Sequence, residues 1–155
     1  MDGKIKTTAE AVEAEALPRA HVVHCGPNPP KTIEQKPVPK GVSKTPMGQK
    51  TPAHWAYERL IMYIKNFEEQ LDNEHEVAMG FVGGDAGVLR IEGLGYYDPD
   101  IITFYGTETS GAKTQLIQHV SQLSVMLRAL PKLKAAAAPN RIGFRLAADL
   151  EEGAK

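Results

Sequence analysis

The stretch LIQHVSQLSVMLRALP, Leu116 to Pro131, decides between two folds. Leu116, Val120, Leu123, Leu127 and Leu130 recur in steps of four and three, and Ile117 and Met126 widen the stripe. That spacing is the signature of one helix face turned to a core. Gln115, Gln118, His119, Gln122 and Arg128 fall on the other side. A strand reading has to accept the adjacent pair Leu116–Ile117 and needs a break near Ser121. Leu, Gln, Met and Ala also favour helix. The pattern therefore predicts an amphipathic helix over 114–130, ended by Pro131, with a pair of strands as the alternative.

Working outward, IITFYG at 101–106 is rich in β-branched and aromatic residues and reads as a strand after the turn Asp98-Pro99-Asp100. EVAMGFVG and GVLRIEGLGYY read as a hairpin, and Gly93 and Gly95 inside its second arm predict a bend or bulge. Before them, Tyr57, Leu60, Ile61, Ile64, Phe67 and Leu71 recur at helical spacing behind Thr51-Pro52, a good N-cap and first-turn pair. This predicts a helix over 52–73. RIGFRL, 141–146, reads as a short edge strand. The fold class is thus α+β: an N-terminal amphipathic helix, a three-stranded antiparallel meander, a C-terminal amphipathic helix and an edge strand. The alternative is a small Sm-like barrel with an N-terminal helix.

All ten aromatic residues lie from Trp55 to Phe144, and eight of the eleven prolines lie at or before Pro52. A segment without aromatics cannot bury enough apolar surface to offset its ordering entropy. Residues 1–50 are expected to be a disordered Pro/Lys-rich arm, 51–146 a single domain and 147–155 a flexible tail. Lys31, Lys36, Lys40, Lys44 and Lys50 face Glu34 alone within 31–50, so this part of the arm is basic. The opposite charge closes the first helix, where Glu68, Glu69 and Asp72 sit at an end whose macrodipole favours cations. A basic segment docked there, the arm itself included, would relieve it.

Eighteen basic against nineteen acidic residues create no global field toward nucleic acid or a membrane. No apolar run of membrane-spanning length is present, and the single cysteine, Cys25, excludes an intrachain disulfide. A cytoplasmic protein is expected.

No constellation assembles an acid, a base and an electrophilic stabiliser, so no enzyme, cofactor or metal is expected. GTETSGAKT, Gly106 to Thr114, approaches a phosphate-binding loop, but Ala112 intrudes between Gly111 and Lys113. His21, His24 and Cys25 lack the fourth ligand and spacing of a structural zinc site. Asp98 and Asp100 read as turn chemistry, and Arg90 with Glu92 as a surface pair. If 114–130 is a helix, Gln118, His119 and Gln122 form a polar stripe for capping, water or a partner.

On the motifs PDIITFYG, LIQHVSQLS and LPK, followed by RIGF, residues 52–146 resemble an uncharacterised family of small bacterial proteins, a resemblance that implies no activity. The helix, the glycine-bent strand and Gln115, Leu116 and His119 with a following serine also resemble Sm/Hfq-like RNA-binding proteins. That resemblance implies an RNA-binding ring with Gln118, His119 and Gln122 at the ligand edge. Charge opposes it: residues 55–133 hold six basic and eleven acidic side chains, the wrong balance for phosphates. The preferred reading is a non-enzymatic interaction or oligomerisation domain whose partner is a second copy or another protein. The Sm/Hfq-like reading and nucleotide binding at Gly106–Thr114 are the alternatives.

Overall fold

The computed structural model describes residues 20–37, 49–81, 87–133 and 137–152. Residues 1–19 and 38–48 of the expected disordered arm, and 153–155 of the expected tail, lie outside the described residues. Helix α1 runs from Pro52 to Glu69; the Thr51 side chain caps it by accepting from the His54 N–H. It stops short of Asn73, the expected end, because Asp72 turns back on the chain, accepting from the Glu74 N–H and contacting the His75 ring. Five strands follow: β1 (His75–Phe81), β2 (Val88–Tyr97), β3 (Ile101–Glu108), β4 (Lys113–His119) and β5 (Val125–Pro131). They form one antiparallel sheet in the order β4-β3-β2-β1-β5.

The hairpin, the third strand and the bulge appear where the sequence places them, the bulge between Ile91 and Gly93. The meander, however, is part of a larger sheet. Residues 114–130 are two strands joined by a single 3-10 turn at Val120–Gln122, not a helix. The reason is visible in β4, which alternates strictly: Thr114, Leu116 and Gln118 are half-buried while Lys113, Gln115, Ile117 and His119 are exposed. Leu116 and Ile117, adjacent apolar residues that argued for a helix, point to opposite faces. β3 and β1 each offer an open edge, and pairing with them outweighs the helical preference of the local residues.

RIGFRL is likewise not a strand. Helix α2 starts at Gly143 and continues to Glu152, through residues expected to form a tail, and Leu150 on it is buried. Its first amides have found an acceptor on α1, described below.

Helix α1 lies over the inner face of the sheet. Ile61 and Ile64 of α1, Met79 of β1 and Ile102 and Phe104 of β3 are the largest fully buried side chains. Each contributes about 1.5–3 kcal/mol by leaving water. Phe81 packs edge-on against Phe104, with ring centroids 4.9 Å apart. Among the described residues, no helix is long and apolar enough to cross a membrane.

Candidate functional site

The six residues singled out in the sequence are divided between two places. Gln118, His119 and Gln122 lie where β4 passes into the 3-10 turn, but they do not form one stripe. Gln118 faces inward, and its Oε1 is buried with no hydrogen-bond partner. His119 faces outward. Its Nε2 lies 3.1 Å from Asp100 Oδ2 and its Nδ1 2.8 Å from Ser121 Oγ. The Ser121 N–H also donates to Nδ1, while Gln122 Oε1 accepts from the His119 N–H, so each side chain closes the other's end of the turn. The Asp–His–Ser chain is half-open to water, and its hydrogen bonds are those of a capped turn. Asp100 was missed as a partner of His119 because the β3–β4 register, which sets Ile101 opposite His119, joins residues far apart in the sequence.

Glu68, Glu69 and Asp72 have three different roles. Glu68 is buried and accepts from the Ile142 N–H at 3.0 Å and the Gly143 N–H at 2.6 Å. The carboxylate thus meets the positive end of α2, which relieves the acidic close of α1 without a basic side chain. A Cβ on Gly143 would lie 2.6 Å from Glu68 Oε1 and 2.8 Å from Lys65 Cα, so the close approach requires glycine. Glu69 is exposed and meets Lys36 at 3.3 Å and Lys65 at 3.6 Å. Asp72 is exposed, and the hydrogen bond from His75 holds its carboxyl below the usual range. Arg141 completes the junction by donating to the carbonyls of His75 and Asp72.

Other polar centres were not anticipated. Lys50, the last residue assigned to the arm, is buried against Glu58 at 2.7 Å, with side chains only 1% and 4% exposed. His54 reaches the other Glu58 oxygen at 3.3 Å and stacks on Tyr96. Beside Tyr96, Tyr57 donates to Asp149 at 2.6 Å; burial first, and then that carboxylate, push its hydroxyl's pKa well up. Glu76 is buried between Arg90 at 2.7 Å and the Asn140 N–H at 2.6 Å. These groups neutralise one another and lock elements together.

GTETSGAKT is a hairpin: the end of β3, a turn at Gly111 and the start of β4. No helix N-terminus follows it to cradle a phosphate. Lys113 instead pairs with Glu92, whose carboxyl it holds below the usual range. Gly106 is needed because a Cβ there would strike the Arg90 carbonyl. His24 contacts the Thr32 hydroxyl, Cys25 is exposed, and no group able to hold a metal exists among the described residues.

At both ends of the sheet, among the described residues, one side of the outer strand has no strand beside it. Neither β4 nor β5 has a second strand partner among the described residues. Each carries an exposed apolar side chain, Ile117 at 61% and Met126 at 46%.

Among the described residues, fold and site together define an α+β domain of two α-helices and a five-stranded open sheet. Its polar clusters fasten elements to one another. The chain belongs to the Family of unknown function (DUF6173), whose sequence profile matches residues 50–145. No curated protein and no solved structure matches the chain.

Proposed function

We propose that the domain is a non-enzymatic self-association module that joins copies through the free edges of β4 and β5. The observation that carries this reading is a pair of open seven-residue edge strands at opposite ends of one sheet. Proteins that remain monomeric guard such edges with charge, proline or bulges. The protection of β4 is limited to Lys113 at its start, which pairs with Glu92, and that of β5 to Arg128 and the terminal Pro131. Edge pairing is directional and uses main-chain hydrogen bonds, so two unlike edges extend the sheet from copy to copy. Analytical ultracentrifugation on the order of tens of micromolar tests it. An oligomer that Ile117→Lys or Met126→Lys dissociates, with the fold retained, is expected; a strict monomer overturns it.

A second reading, Sm/Hfq-like RNA binding, is favoured by one observation. The helix, the bulged β2 and the strand pair with an outward-facing His119 support it, whereas the sheet is open rather than the closed barrel of that alternative, and Gln118 faces inward. The acidic balance of the domain weighs against it. Failure to retain any oligonucleotide at low salt disposes of this reading and leaves edge pairing standing.

A further inference from the structure

Helix α2 turns Leu146, Ala147 and Leu150 toward the core, and the Tyr57 hydroxyl holds Asp149 at 2.6 Å. Phe144 and Ala148, four residues apart, share a different side, and both are exposed, Phe144 to 61%. An aromatic side chain left in water forgoes most of the ~1.5–3 kcal/mol that its burial supplies.

Beside Phe144 lies a groove of about 310 Å³ between α1 and α2, lined by Ile61, Met62, Ala147, Ala148 and Leu150, with Lys65 as its charged member. The surface thus holds both an exposed aromatic ring and an apolar recess. Its charges are ordered along the helix. Arg145, exposed beside the Phe144 ring, makes no ion pair among the described residues. The last turn carries Glu151 and Glu152 and no cation, although a helix C-terminus favours positive charge. A second α2 running the other way answers this order. With Ala148 opposite itself, position 145 of each helix falls opposite position 151 of the other, and the small central side chain lets the helices approach closely.

We infer that this side of α2 joins two copies of the chain in a two-fold dimer, with the α2 helices antiparallel and the Phe144 ring of each copy in the groove of the other. Two observations single out a second copy as the partner. Ring and recess occur on the same surface, and its charge order is complementary to its own reverse, as a contact between identical patches requires. The surface shares no residue with β4 or β5 and does not depend on edge pairing. Unlike edges extend the sheet from copy to copy, whereas this contact closes on itself.

The test uses the full chain carrying Ile117→Lys and Met126→Lys together, which block both edges, in analytical ultracentrifugation on the order of tens of micromolar. A dimer is expected. Adding Phe144→Lys is expected to give a monomer with an unchanged circular dichroism spectrum, since the side chain replaced is exposed. Adding Arg145→Glu instead is expected to raise the dimer's Kd about tenfold, because one substitution sets like charges opposite each other twice in a two-fold contact. Arg145→Glu also keeps the test decisive if Phe144→Lys disturbs the fold. A monomer in the edge-blocked chain, or a dimer that either addition leaves unchanged, overturns the proposal. Edge pairing fails on a different result, an assembly of the native chain that Ile117→Lys and Met126→Lys leave unchanged.

Discussion

Glu68 and Glu69 are neighbours on one helix and carry the same charge, yet they hold the molecule in different ways. Glu68 is buried and bonds two backbone amides at the start of α2. Glu69 is exposed and bonds lysine ammoniums through water-accessible gaps. The first junction is an internal joint that water cannot replace, because its amides lose their partner when the carboxylate goes. At the second, water substitutes for either partner at little cost. Burial, rather than formal charge, decides which contact is structural and which is exchangeable.

Removing the buried carboxylate breaks the comparison most severely. Glu68→Ala is expected to cost about 3 kcal/mol, since the Ile142 and Gly143 amides are left unsatisfied. Urea unfolding measures the loss, and weakened protection of α2 amides locates it. Next comes Gly143→Ala, which inserts a methyl group against Glu68 and Lys65 and is expected to cost about 1–3 kcal/mol. In a Glu68→Ala background the same change is expected to cost less, a coupling that a double-mutant cycle reads directly. Equal costs in both backgrounds would show that the clash with Lys65 alone accounts for the glycine.

On the exposed side, Glu69→Ala is expected to cost less than about 1 kcal/mol, and the difference should vanish in high salt. A loss as large as that of Glu68→Ala would erase the distinction between the two junctions. The smallest effect is in acid. The Tyr63 hydroxyl holds the Glu34 carboxyl below its usual range in the folded chain. A carboxylate depressed in this way adds stability above its unfolded pKa and loses it as pH falls through the folded one. Tyr63 resonances should therefore change at pH values below the ordinary glutamate range, while Glu34→Gln removes the transition.

The sequence made the beginning of α1 legible through Thr51-Pro52, and β1 to β3 through alternation and turn residues. It also signalled the need for positive charge where α1 ends. It did not reveal that the positive partner is a pair of amides at the start of α2, because α1 and that turn are joined only through the intervening sheet. Residues 116–131 misled for a local reason. An exposed Ile117 beside a half-buried Leu116 mimics a helical stripe, and the evidence against it lies in the edges of β1 and β3. His119 and Asp100 were each visible, but their meeting follows from the β3–β4 register. The contacts of residues 31–36 with α1, Lys36 on Asn66 and Glu34 on Tyr63 among them, were legible only as complementary charge; Asn66 and Tyr63 carry no sign to read.

The position of β1 has a consequence for how the chain reaches this structure. Its one neighbour, β2, arrives through a nearby hairpin, whereas the other, β5, is set by pairs such as His75 with Pro131 and Phe81 with Val125. Closing that long loop costs chain entropy before any of its bonds form. The middle of the sheet thus has an open side until the last strand returns, and Val77 and Met79 await Ala129 and Leu127. During synthesis, the nascent chain displays this inner edge before the outer ones of the finished domain exist. A chain in which β5 has not yet returned therefore exposes one strand edge more than the finished sheet, the kind of edge that incompletely folded chains aggregate through.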